Sequence, residues 1–125
     1  MKTKKLDQEK KSIAKASMSN AKVAPQKARL VINQIKGLNV TYALATLENT
    51  RRSANPIVEK VLRSAIANAV EKDKTVNPDE LIVTEARVDK GRTLKRIQPR
   101  AMGRACQILK HSSNILLSVG KSKRI

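Results

Sequence analysis

Asp89-Lys90-Gly91-Arg92-Thr93-Leu94-Lys95-Arg96-Ile97-Gln98-Pro99-Arg100-Ala101-Met102-Gly103-Arg104 is the stretch on which the fold turns. From Lys90 to Lys110 there are seven basic side chains (Lys90, Arg92, Lys95, Arg96, Arg100, Arg104, Lys110) and no Asp or Glu. Both flanks, Leu81 to Val88 and Ile115 to Val119, are rich in β-formers. Ile82, Ala86 and Val88 fall on one face at period two, as do Ile115, Leu117 and Val119 on the returning arm. The pattern predicts a long hairpin with the basic stretch at its far end. Pro99 cannot donate to a ladder and Gly103 permits turn geometry, so together they mark the reversal. With the turn near Gln98, an arm starting at Leu81 runs about 17 residues, or on the order of 55 Å. A compact domain of this length has a radius of gyration of only roughly 14 Å. The hairpin therefore leaves the body.

A two-stranded ribbon is marginal in water by itself, and repulsion among its cations weakens this one further. It needs an anionic surface. Most charge runs are merely solvated loops, but a loop would not need β-formers leading into it. A net charge of +17 over 125 residues points to a polyanionic partner, nucleic acid ahead of an anionic membrane surface. Tyr42 is the only aromatic residue. Single-strand binders usually stack bases on aromatic platforms, so binding here is expected through phosphates and shape. Cys106 is alone, which rules out an internal disulfide and fits a reducing compartment. No apolar run approaches membrane-spanning length and no secretory segment is evident, so no membrane partner is expected.

One domain is expected, residues 13–120, with the hairpin at 81–119 and basic tails at 1–12 and 121–125. The first tail is read as disordered in preference to an organellar transit peptide, because it holds Asp7 and Glu9 and no Arg. Ile13 to Val23 alternates loosely and suits a strand on the edge of the hairpin sheet. Pro25 opens a helix in which Ala28, Val31, Ile32 and Ile35 line one face, and Gly37 stops it. Asn39 or Thr41 caps a second helix carrying Val40, Ala43, Leu44 and Leu47. A third helix, from Ser53 or Pro56 to Asp73, repeats apolar pairs every four residues, with Ala65, Ala67 and Ala69 allowing close approach. The fold class is thus α+β: three helices on a small antiparallel sheet with a protruding β-hairpin.

Little suggests catalysis. His111 is the only histidine, read as a surface or phosphate-facing imidazole, and Cys106 as a small residue alternating along a strand. Glu85 and Asp89 share a strand face and could imitate a metal-binding pair, although pairing with Arg87, Arg92 or Lys110 is the simpler reading. There is no phosphate-cradling glycine loop or zinc spacing. No catalytic residue, metal, cofactor or small-molecule substrate is expected.

Pro25 to Val31, Val61 to Ala69 and Val88 to Ala105, in that order and spacing, resemble the large-subunit ribosomal protein twenty-two family, bacterial type. The Lys95-Arg96-Ile97-x-Pro99-Arg100-Ala101-x-Gly103-Arg104-Ala105 run is the most specific part. The resemblance implies a structural constituent of the large subunit whose hairpin threads into rRNA and reaches the wall of the peptide exit tunnel. It implies rRNA contacts from Lys15, Lys22, Lys27, Arg29, Lys90, Arg92, Lys95, Arg96, Arg100, Arg104 and Lys110. Arg96, Ile97, Gln98, Pro99, Arg100, Ala101 and Met102 would form the tunnel tip, near the nascent peptide. Neighbouring large-subunit proteins would be further partners, in a cytoplasmic ribosome, with an organellar one left open. Lys90, Arg92, Cys106 and Asn114 depart from the family's usual residues, and the first two make the arm more cationic. The alternatives are a nucleoid-type DNA-binding protein that uses the first two helices in a groove, and a metal-dependent nuclease built on Glu85 and Asp89.

Overall fold

The computed structural model describes residues 12–121. In chain order they form β1 (Ser12–Ala21), α1 (Pro25–Ile35), α2 (Val40–Asn49), α3 (Asn55–Lys72), β2 (Leu81–Lys90), β3 (Leu94–Pro99), β4 (Ala105–Lys110) and β5 (Ser113–Lys121). Single 3-10 turns at Pro78–Glu80 and Ala101–Gly103 complete the path. The two tails expected from composition lie almost wholly outside the described residues, although Ser12 pairs with Gly120 and Lys121 with Leu81 at the ends of the sheet.

The three helices form one layer and an antiparallel sheet of order β1-β5-β2 the other. Local signals explain the helices. Pro25 sits in the first turn of α1, Gly37 takes φ +81° just beyond its end, and Asn39 accepts a hydrogen bond from the Thr41 backbone N–H at the start of α2. Ala28, Val31, Ile32 and Ile35 all face inward as their spacing predicts. Between α2 and α3 the buried Asn55 donates to the Leu47 and Thr50 carbonyls, tying one helix end to the next helix start.

The core is aliphatic, and small residues set its spacing. Ala14 and Ala16 on β1 face a helix layer in which Ala65 and Ala69 of α3 are fully buried, so strand and helix approach closely. Ala67, expected among the contact residues, is exposed instead. Two positions along a helix are about 200° around its axis, so Ala67 turns away from the face its neighbours share. Asn68 and Lys72 donate from α3 to the Lys15 and Ile13 carbonyls, which engages part of the β1 edge. The opposite edge is covered by the α1–α2 loop, where Gly37 donates to the Val83 carbonyl and Val83 donates to Leu38.

The hairpin differs from the expected uninterrupted arm in three respects. First, β2 carries a register shift between Val83 and Glu85. Leu81 and Val83 are therefore buried before the shift and Ala86 and Val88 after it, while Ile82 is only half-buried on the other side. The extra residue reverses the inward phase, which period-two counting from Ala86 cannot detect. Secondly, the ladder stops after Lys90 and resumes at Leu94, so β3 and β4 form a separate two-stranded ribbon. Thirdly, the reversal lies beyond Gln98, which is still paired with Cys106. Pro99 opposite Ala105 is the last rung, and Met102 and Gly103, both at positive φ, turn the chain.

Candidate nucleic-acid interface

No residue of the β3–β4 ribbon is buried, and only Ile108 is half-covered. Cross-strand partners share a face. One face therefore presents Leu94, Arg96 and Gln98 with Cys106, Ile108 and Lys110; the other presents Lys95, Ile97 and Pro99 with Ala105, Gln107 and Leu109. Each face mixes cations with aliphatic side chains. At the tip Met102 is 95% exposed, and Ile97 on the adjoining strand is 73% exposed. Six rungs at about 3.3 Å each carry the tip roughly 20 Å past the body sheet.

Among the described residues, the acids lie in the body. Glu48 and Glu59 lie 3.8 and 2.7 Å from Arg63, and Asp73 lies 3.5 Å from Lys121. Asp73 has its pKa lowered, chiefly by the Thr75 hydroxyl, with help from the Thr75 backbone N–H and Lys121. Arg87 stands between Glu85 (3.8 Å) and Asp89 (3.2 Å), so those carboxylates form the expected ion pairs. An arginine seated between them also opposes a divalent ion there. Among the described residues, none of the seven cations from Lys90 to Lys110 belongs to an ion pair. A run of like charges held at ribbon spacing is costly unless an anion accompanies it.

The other predicted cations fall in different places. Lys15 projects from the outer face of β1 opposite Ser118, and Lys27 is exposed on the first turn of α1. Arg29 donates from Nε and Nη2 to the Val88 carbonyl, at 3.3 and 3.1 Å, bracing α1 against the end of β2. Part of its fork is thus engaged within the protein. Lys22 lies in the β1–α1 connection and, with Arg92 and Lys110, faces one cleft where the ribbon leaves the body.

That junction is a built corner rather than a loose hinge. Gly91 donates to the Ser112 carbonyl at 2.9 Å, Ser112 Oγ donates to the Arg92 carbonyl, and Asn20 donates its backbone N–H to Asn114 Oδ1 at 3.0 Å. A Cβ on Gly91 would lie 2.6 Å from Ser112 Oγ and 3.1 Å from two backbone atoms. Gly91 is therefore required by close approach. Sequence reasoning did not single out Asn20, Ser112 or this contact, since no local pattern marks them.

A family model described as Ribosomal protein L22p/L17e matches residues 16–120, from β1 through the ribbon to β5. The chain belongs to that family. The protein described as Large ribosomal subunit protein uL22 of Oceanobacillus iheyensis is 48% identical over 110 residues, covering 88% of this chain and 96% of that protein. Within the L22p/L17e match, the body and the cationic ribbon are parts of one unit, so the ribbon is no appendage to an unrelated domain.

Proposed function

We propose that this protein is a non-catalytic structural constituent of the cytoplasmic large ribosomal subunit that binds large-subunit rRNA, with its ribbon reaching the wall of the peptide exit tunnel and supporting subunit assembly. The single observation that carries the reading is a ribbon with two solvent-facing sides, unpaired cations along its length and no acid. Such a ribbon suits enclosure by RNA better than one-sided contact. Each phosphate met by Lys or Arg releases counterions, which makes binding steeply salt-dependent. The ribbon then holds together RNA segments that repel one another, and Arg100 with its neighbours presents positive charge to the nascent chain. Adjacent large-subunit proteins complete the set of partners.

The DNA-binding reading fits less well. Its second helix would be α2, which carries no Lys or Arg and has Glu48 in its last turn. A groove-reading helix without a cation forgoes the counterion release that supplies most non-specific affinity for DNA.

The test is binding of the full-length protein to transcribed large-subunit rRNA across a salt series, against duplex DNA and against a variant with Lys95, Arg96, Arg100 and Arg104 all replaced by Ala. Because the ribbon contributes no core residue, the variant keeps the body. Tight rRNA binding is expected, with the variant's slope of log affinity against log salt reduced by about 3 to 4. Equal affinity for DNA, or an unchanged slope, would overturn the reading. Retention of the full-length protein on large subunits through a high-salt sucrose gradient tests the ribosomal assignment separately.

A further inference from the structure

Between α2 and α3 the helix layer leaves a groove, lined by Leu44, Ala45 and Glu48 from one helix and Arg63, Ile66 and Ala67 from the other. Leu44 and Ile66 are only half-buried, and Ala45 and Ala67 are exposed, so the floor is apolar and open. This is the face to which Ala67 turns while Ala65 and Ala69 are buried. Pro78 and Asp79 close one end, fixed by the 2.7 Å hydrogen bond from Asn39 Nδ2 to the Asp79 carbonyl. Tyr42, the chain's one aromatic residue, stands 70% exposed on α2, one turn before Ala45. The charge here is opposite to that of the ribbon. Gly37 to Thr50 and Thr75 to Ala86 contain no Lys or Arg, in a chain where these number 27 against 10 acids. Arg63 is the one cation on the groove, and Glu59 holds it at 2.7 Å while Glu48 lies 3.8 Å away. The Asp79 carboxylate accepts from the Thr41 hydroxyl at 3.4 Å and, among the described residues, belongs to no ion pair.

We infer that this groove docks a cationic segment of another large-subunit protein, with its aliphatic side chains on Leu44 and Ile66 and its cations on Glu48 and Asp79. The inference rests on the proposed place in the large subunit, and it assigns a face that rRNA binding leaves idle. Glu48, Glu59 and Asp79 repel phosphate with only Arg63 to answer them, so RNA is the wrong occupant. A purely apolar segment would cover Glu48 and Asp79 without pairing them. A segment rich in Lys and Arg meets both demands, since the carbon stems cover an apolar floor while the charged heads reach the rim. Proteins that share an rRNA surface need cations for the same reason as this chain, which makes such segments the available neighbours. Asp79 is held beside Thr41, and Glu48 lies two helical turns further along α2, so the two acidic ends of the groove are about 10 Å apart. The docking segment therefore carries cations at that separation with aliphatic side chains between them. Tyr42 at the border offers its ring face to a further arginine, and aromatic residues are enriched at protein interfaces. The Asn39 bond to the Asp79 carbonyl holds the end of the groove in place before the partner arrives.

The experiment incorporates the full-length protein, carrying Tyr42→p-benzoylphenylalanine, into large subunits that are purified through a high-salt gradient, irradiated and digested for mass spectrometry. Wild-type subunits are treated in parallel with a carbodiimide, which joins carboxylates to lysines in contact with them. Both reactions are expected to link this chain to the same segment of one other large-subunit protein, through position 42 in the first and through Glu48 or Asp79 in the second. That segment should be rich in Lys or Arg with aliphatic residues between. Glu48→Lys/Asp79→Lys reverses the charge of the rim, and Ala45→Gln/Ala67→Gln fills the floor; each should lower the photo-cross-link yield by roughly 10-fold. The glutamine variant should keep the wild-type salt slope of rRNA binding. All four positions are exposed, and melting curves check that the variants fold. A cross-link from position 42 to rRNA, to a second copy of this chain, to its own residues 1–11 or to nothing would overturn the inference, as would full yield from both variants. In those cases the protein still sediments with large subunits and the ribosomal reading stands. If it does not sediment with them, both fall.

Discussion

Gly91→Ala is the smallest change that should disable the corner. One methyl group would meet Ser112 Oγ at 2.6 Å, the Ser112 carbonyl carbon at 3.1 Å and the Ser113 nitrogen at 3.1 Å. The hydroxyl is the flexible partner, yet it is held by the Arg92 carbonyl. The two backbone atoms form the peptide link between Ser112 and Ser113, where β5, the central strand, begins, and cannot withdraw without opening the Gly91–Ser112 hydrogen bond and the last rung, Lys90 with Ser113. Overpacking of this kind costs about 1–3 kcal/mol, and the strained hydrogen bond adds roughly 1 kcal/mol. For a domain of this size the melting temperature should fall by roughly 6–20 °C. Urea unfolding of the full-length protein followed by circular dichroism measures the loss. Gly91→Ala/Ser112→Ala should recover part of it, since the closest contact is relieved while the backbone contacts remain. A Gly91→Ala protein as stable as wild type would refute the close-approach argument. So would a double variant less stable than the sum of its singles.

Leu117, fully buried in β5 beneath the helices, should cost about 2–5 kcal/mol when replaced by Ala, read from the same urea curves; Leu94→Ala alone should cost under about 1 kcal/mol because its side chain is already 45% exposed. Arg29→Ala removes both hydrogen bonds to the Val88 carbonyl and should destabilise by about 1 kcal/mol; Arg29→Lys should fail to restore it, because an ammonium lacks the planar fork. Asp73 has a lowered folded pKa, so its contribution is present above the ordinary carboxylate pKa of roughly 4 and is lost as pH falls through the folded value. Asp73→Asn should therefore narrow the stability difference between pH 6 and pH 2.5, and an identical acid limb in the variant would count against that role.

The elements that could be read directly were those whose signal is local. The i, i+3, i+4, i+7 face of α1, the proline at its start and the glycine after its end lie within a dozen residues of one another. The same holds for the acid-free basic run, whose charge demands an outside partner whatever its conformation. The family-specific run of Lys, Arg, Pro and Gly around Pro99 was equally legible. What escaped depended on an inserted residue or on distant partners. The register shift in β2 swapped Ile82 out of the inward set, because periodicity carries no mark of where a strand gains one residue.

The sequence by itself determined that three amphipathic helices and a β-rich hairpin share one aliphatic core, and that the hairpin's cations must meet a polyanion. Burial period and charge are properties of neighbours along the chain, so they survive without coordinates. Only the tertiary structure decided that the hairpin is two ladders joined at a rigid corner, and that Lys22, Arg92 and Lys110 line one cleft there. Asn20 and Asn114, which help close that corner, are 94 positions apart. Their meeting follows from the antiparallel register of β1 on β5, set by the match of Ala14 and Ala16 to Val119 and Leu117 under the helices rather than by the corner residues themselves.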